Sequence, residues 1–467
     1  MYVDVLVKNA IIVTLNHNRE IIKDGAMAIK GGVIIQIGPT SDVLPRITYA
    51  DKTIEASGKA VFPGLINTHN HLFQTLLKGL GDDMMLKDWF ATMTAPAAIH
   101  LTEKDVEMAT YLGCIDSLRS GCTTMFDYMY PHARKGLSEA ILDTFLKLNM
   151  RCVYGRGMMT TGTQFGVPSE IIQKPGQIVE DFKMLYKNYA GKGNINNIWL
   201  APAAAWSNTM EMFSEIKKLM QEYDTGLSIH IAETPFDIKA AEELHGCNEI
   251  EVLQKMDLLG PNTLFVHCVH LTKKDIRMIQ SLGVCVSHNP VSNMYLSSGV
   301  APIPDLVERG VAVGLATDGA ASNNTNDMIE VLKSASLLQK VVSMDPTIIT
   351  AERVLEMATI DGSKALGLEN IVGSLEVNKR ADFFIFNPLK SARSTPMHNP
   401  VSALVYTGSP INVETVAVNG KLVIEDSAFV EIDESKIIAQ ASEQAFDLIY
   451  RASIKSGIDR PWKNLAY

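Results

Sequence analysis

"AVFPGLINTHNH" (Ala60–His71) decides the reading of this chain: an apolar run of strand length ends in two histidines placed two residues apart. Side chains at i and i+2 of a strand share a face, so His69 and His71 look to one side and Asn70 to the other. Such a pair can grip one ion. A histidine pair on a strand is more often ordinary surface or core, so it gains weight only from further ligands elsewhere.

Seven more β-branched apolar runs follow: "CTTMFDYM", "RCVYGRG", "NIWLAPA", "GLSIHIAE", "TLFVHC", "GVCVSHN" and "VAVGLATD". Helical periodicity separates them, as in "TEKDVEMATYLGCIDSLRS", opened by a capping Thr102, and "TMEMFSEIKKLMQEY". Eight strand-then-helix units predict a (β/α)8 TIM barrel over residues 61–368. An open doubly wound sheet would require a Gly-rich phosphate turn after the first strand, and "NTHNHL" is not one. Residues 1–60 and 369–430 alternate with period 2 and carry turn signals at Gly31-Gly32 and Asn419-Gly420. Neither end suffices alone, so both are expected to form one small composite β-sandwich domain. Residues 431–467 read as a C-terminal helical segment.

A net charge of −10 over 467 residues, with no clustered Lys and Arg, argues against a nucleic-acid partner. No apolar run approaches membrane-spanning length. Six cysteines without CxxC spacing suit reduced core thiols, hence a cytoplasmic enzyme. A homo-oligomer is expected.

Barrel enzymes place their chemistry at the C-terminal ends of strands. Here strand one ends in His69 and His71, strand five in His230 and Glu233, strand six in His267, strand seven in His288 and strand eight in Asp318. Three imidazoles and one carboxylate, with a position left for water, suit one catalytic divalent ion, Zn2+ first and Fe2+ second. The end of strand four, "LAPAAAWSN", offers no lysine or acid to bridge a second ion. One metal is therefore expected, held by His69, His71, His230 and Asp318.

"PGLINTHNH", "HIAET", "FVHC" and "ATDGAASNN", in this order, resemble the amidohydrolase superfamily, in its mononuclear branch of aromatic-base deaminases and triazine hydrolases. The likeness runs on to "KRADFFIFNP" and "HNPVSALVYTG". It implies hydrolytic deamination of an amino-substituted aromatic N-heterocycle, with ammonia released. It also implies catalytic roles: Glu233 moves protons, His267 orients water or substrate, and Asp318 touches metal and takes the water's proton. Those roles suit the chemistry, since a metal-activated water needs a base beside it and a leaving amine needs an acid.

Gln74 matches the glutamine that meets the base in guanine and 8-oxoguanine deaminases, and Arg156 resembles the strand-end arginine of 8-oxoguanine deaminases. Trp89, in "GLGDDMMLKDWF", is a candidate apolar wall, and Asn323 a candidate substrate hydrogen-bonder. In one respect the sequence departs from nucleoside deaminases of the branch: "APAAIHLT" puts Ala98 where they carry a ribose-binding glutamate. The arginine that guanine deaminases show after strand four is also replaced, by Ala203–Ala205. The expected partner is thus a small heterocyclic substrate, a purine-, pterin- or triazine-like free base. The alternatives are an s-triazine chloro- or alkylamino-hydrolase and an S-adenosylhomocysteine or methylthioadenosine deaminase. A non-catalytic scaffold would be expected to have lost ligands, and this chain keeps them.

Overall fold

The computed structural model describes residues 1–458. Eight strands join in chain order into one parallel sheet: β1 (Leu65–Asn70), β2 (Cys122–Met129), β3 (Arg151–Met158), β4 (Ile195–Pro202), β5 (Leu227–Ile231), β6 (Thr263–His267), β7 (Cys285–His288) and β8 (Val313–Leu315). The main helices around them are α1 (Glu103–Arg119), α2 (Leu137–Leu148), α3 (Pro175–Tyr189), α4 (Met210–Glu222), α5 (Pro235–His245), α6 (Glu249–Lys255), α7 (Lys273–Leu282) and α8 (Met328–Ser343). Thr102 caps α1 as its sequence suggests, in a capping box with Asp105.

The sheet curls until β8 meets β1, but no ladder of paired residues joins these two. One backbone bond does, from the Asp318 N–H to the His69 carbonyl at 3.2 Å. Side chains close the rest. Asn67 and Asn70 each donate an Nδ2 hydrogen to Thr317 Oγ1 at 2.7 Å, and Thr68 Oγ1 donates to the Leu315 carbonyl at 3.1 Å. The seam needs Gly314: a Cβ there would lie 2.4 Å from Thr68 Cγ2.

The chain ends build a second, mixed sheet of nine strands. Across it run Ala428–Phe429, Lys421–Glu425, Val413–Val418, Phe383–Phe386, Ala60–Pro63, Tyr2–Val13, Ile21–Lys30 and Val33–Pro39, with Tyr49–Glu55 also on Tyr2–Val13. Gly31-Gly32 and Asn419-Gly420 form two of its hairpin turns, all with positive φ, as the twist of a two-residue turn demands. Phe62, Phe384 and Phe386 pack with the barrel core, while Val61, Phe383 and Ile385 join Val5, Val7 and Ile12 in a separate core on the opposite face.

The run "AVFPGLIN" is therefore two strands and not one. Ala60–Pro63 pairs antiparallel with Phe383–Phe386, and β1 begins only after Gly64. Pro63 lacks an N–H, and Gly64 lies so close to Thr123 that a Cβ would meet its Oγ1 at 2.0 Å.

Arg151, at the start of β3, ties barrel to sheet. Its Nε and Nη2 donate to the two Asp382 oxygens at 2.8 and 2.9 Å, and both side chains are buried. Removing one partner leaves the other charge buried and unpaired, at a cost of about 3–5 kcal/mol. Arg151→Ala is therefore expected to lower stability by that amount in urea unfolding; a change under about 1 kcal/mol would deny the pair this role.

A further helix, α9 (Glu434–Arg451), packs on α1, with Arg451 and Gln444 both reaching Asp105. Residues 459–467 of the expected C-terminal segment lie outside the described residues. All six cysteines are buried and unpaired. No helix among the described residues is long and apolar enough to cross a membrane.

Candidate active site

The curl of the sheet brings the strand ends onto one rim. His69 and His71 come from β1, His230 from β5, His267 from β6, and Asp318 follows β8. His69 Nε2 and His71 Nε2 lie 3.4 and 3.5 Å from Asp318 Oδ1, and His230 Nε2 lies 3.3 Å from His71 Nε2. His69, His71 and His230 offer ligand atoms all within 4.8 Å of one another, as do His69, His267 and Asp318.

These donors fit a metal ion. The Nδ1 atoms of His71 and His230 lie 2.6 Å from the carbonyls of Tyr128 and Ala203. Each Nδ1 thus carries the proton and leaves an Nε2 lone pair facing the cluster, the arrangement that orients metal-binding histidines. Among the described residues, fully buried His69 faces Asp318 through Nε2 at 3.4 Å and its Nδ1 has no hydrogen-bond partner. Burial holds these rings neutral, with His71 pushed down to about 3. Burial works to raise the Asp318 carboxyl, but His69 beside it and the other histidines outweigh that and hold it well below the carboxylate range. Strand four contributes the Ala203 carbonyl and no ligand.

Asp318 is held on several sides. Its Oδ2 accepts from Ser292 Oγ at 2.6 Å and Ser322 Oγ at 3.3 Å, and its Oδ1 accepts from the Gly319 N–H at 2.6 Å. Glu233 Oε2 stands 3.6 Å from His267 Nε2, and Ser298 Oγ donates to Glu233 Oε1 at 3.1 Å. Burial, more than neighbouring charge, pushes the Glu233 carboxyl up to about 7. Burial alone would lower His267, but Glu233 and Asp318 overcome it and raise the imidazole, whose Nδ1 lies 2.9 Å from Asn293 Oδ1.

Three strand ends adopt backbone that L residues avoid: Ala232 (φ 48°), His267 (φ 70°) with Cys268 (φ 54°), and Asp318 (φ 62°). Each costs on the order of 1–2 kcal/mol. Strain of this kind persists only where surrounding structure over-determines it, and here it aims the polar rim.

The amidohydrolase family model matches residues 60–423, a span that holds every residue of this rim. The chain belongs to the amidohydrolase family. Among its relatives, the 5'-deoxyadenosine deaminase of Methanosarcina mazei is 34% identical over 452 residues, 96% of this chain and 99% of that one. The 5-methylthioadenosine/S-adenosylhomocysteine deaminase of Desulforudis audaxviator is 35% identical over 425 residues, 91% and 95%. A crystal structure of an adenosine deaminase from Xanthomonas campestris, with bound zinc, superposes with a TM-score of 0.90 at 26% identity, covering 96% of this chain and 99% of that one.

Within this amidohydrolase the other candidates differ in position. Gln74 lies against the Asp318 loop: a Cβ at Gly319 would fall 1.9 Å from its Oε1, which has no hydrogen-bond partner, while its Nε2 reaches Tyr130 Oη at 3.3 Å. Trp89 and Asn323 both brace that loop, the indole N–H on the Ala321 carbonyl at 2.8 Å and Asn323 Nδ2 on the Thr317 carbonyl at 2.9 Å. Asn323 Oδ1 has no hydrogen-bond partner among the described residues. Among the described residues, fully buried His288 has no hydrogen-bond partner at either ring nitrogen and belongs to neither group of candidate ligands.

Arg156 is not brought to the rim. Expected against substrate, it points into the helix layer, where Nε donates to Asp181 Oδ2 of α3 at 2.7 Å and Nη1 to Gln173 Oε1 at 2.9 Å. Strand alternation explains this, because Tyr154, two residues before, also faces outward and bonds Ser138 of α2. Sequence reasoning missed Ser292, Asn293 and Ser298. The density of Ser and Asn in "HNPVSNMYLSS", just after a barrel strand, was the signal available for them.

Proposed function

We propose that this chain hydrolytically deaminates an amino-substituted aromatic N-heterocycle and releases ammonia, with a divalent ion, zinc first, held by His69, His71, His230 and Asp318. The observation that carries the reading is the convergence of three imidazoles, two carboxyls and His267 on one rim. The deaminases among the relatives support it. A bound divalent ion lowers the pKa of water to around 7 and so supplies a nucleophile at neutral pH.

The residues do the rest. Asp318 takes a proton from water as its oxygen bonds to the ring carbon bearing the amino group. Glu233, which at its raised pKa still holds a proton near neutrality, gives it to the adjacent ring nitrogen. His267, fixed through Nδ1, donates from Nε2 to the attacking oxygen as charge grows there. The proton on Asp318 then passes to the leaving amine, the attacking oxygen returns its remaining proton to Glu233, and the C–N bond breaks to release ammonia and leave a ring carbonyl.

A free base is the favoured substrate, because Ala98 stands where nucleoside deaminases of the branch hold an acid. A second reading, nucleoside deamination, is favoured by the two relatives at 34% and 35% identity. Ammonia release from guanine, 8-oxoguanine, isoguanine, pterins and aminotriazines, compared with 5'-deoxyadenosine, methylthioadenosine, S-adenosylhomocysteine and adenosine, separates them. The highest kcat/KM is expected on a base, and a nucleoside in that place would transfer the assignment to the second reading. The proposal includes a cytoplasmic setting, in keeping with six buried free thiols.

A further inference from the structure

Glu233 is held in place through its two neighbours in the chain. The Thr234 N–H donates to Asp237 Oδ2 at 2.8 Å, a helix-capping contact at the start of α5. The Ala232 N–H donates to Glu249 Oε2 at 2.7 Å, across a gap of 17 residues to the first residue of α6. Glu249 is buried, and its other oxygen has no hydrogen-bond partner among the described residues. A buried carboxyl with a single hydrogen bond is costly unless that bond does something.

The peptide it holds lies in an unusual position. Ala232 stands between His230 and Glu233 in left-handed backbone, with φ 48°. Its carbonyl accepts the N–H groups of Val269 at 3.1 Å and His270 at 2.9 Å, just beyond His267. Ala232 is therefore a junction: its N–H is fixed by Glu249, and its carbonyl fixes the segment that carries His267. Turning it back to right-handed backbone would re-aim Glu233 and release the end of β6 together.

We infer that Glu249 is a positioning residue: by accepting the Ala232 N–H it holds the left-handed turn that aims Glu233 and His267 at the substrate. The inference rests on the role proposed above for Glu233. Burial pushes the Glu249 carboxyl well above the ordinary range, so a neutral glutamine is close to it in both shape and charge.

The test compares Glu249→Gln, which keeps an acceptor, with Glu249→Leu, which does not. Glu249→Gln should keep kcat within about threefold of the parent. Glu249→Leu should lose about 10–100-fold in kcat, the range for lost supporting hydrogen bonds, with KM and bound metal little changed. Hydrogen exchange over residues 231–234 should quicken in Glu249→Leu only. Glycine enters left-handed backbone without penalty, so adding Ala232→Gly to Glu249→Leu should recover most of the lost kcat.

Parental kcat in Glu249→Leu would reduce Glu249 to a stability role. A loss in Glu249→Gln as deep as in Glu249→Leu would show that the acceptor is not what matters. If Glu249→Leu does not fold, Glu249→Ala, which also lacks the acceptor, takes its place in every comparison above. A fully active Glu233→Gln would sink the reading of Glu233 alone, and the exchange rates would still report whether Glu249 holds the turn.

Discussion

Asp318→Asn is expected to lower turnover by about 10⁴-fold, the upper end for a single acid–base group, because two functions are lost at once. The amide keeps the shape: its one oxygen can still accept from the Gly319 N–H, and the Ser292 and Ser322 hydroxyls can turn to accept from its NH2, so the loop should stay folded. It cannot take a proton, and it is a poorer ligand than the carboxylate lying 3.4 and 3.5 Å from His69 and His71. Protein purified without added metal should hold one ion per chain in the parent and bind it more weakly in the variant. Elemental analysis with a chelator titration measures this. Retention of more than about a tenth of kcat with unchanged metal would remove Asp318 from both functions.

Glu233→Gln should lose about 10²–10⁴-fold in kcat while keeping its metal, since no ligand is altered and only a proton carrier is lost. The pH profile gives a second check. To donate to a ring nitrogen the carboxyl must hold its proton, and burial raises its pKa to about 7. kcat/KM of the parent should therefore fall as pH rises through about 7, where the protonated fraction is lost. A profile flat across that region, or a Gln variant within a few-fold of the parent, would assign Glu233 to structure.

The eight strands are legible because each is a short apolar run bounded by helical periodicity, and the rim because strands one, five, six, seven and eight end in His, Glu or Asp, residue types that apolar runs do not otherwise carry. Where Arg156 points is not legible in the sequence, for a physical reason. Both faces of a barrel strand are buried, so hydrophobic alternation does not say which side chains face the lumen. The break inside "AVFPGLIN" was written in Pro63-Gly64, but its meaning depends on Phe383–Phe386, far along the chain. Glu249 was illegible, because it acts on a backbone N–H 17 residues away and no side-chain pattern records that.

The strand Ala60–Pro63 pairs on one side with Tyr2–Val13 and on the other with Phe383–Phe386. The first partner precedes it in synthesis; the second begins 383 − 63 = 320 residues later. At 5–20 residues per second a ribosome takes roughly 16–64 s to cover that interval. During it the strand leading directly into His69 and His71 has one open edge, the kind of surface that invites pairing with another chain. The element that joins the polar rim to the outer sheet is thus also one that nascent chains must keep unpaired while most of the barrel is made.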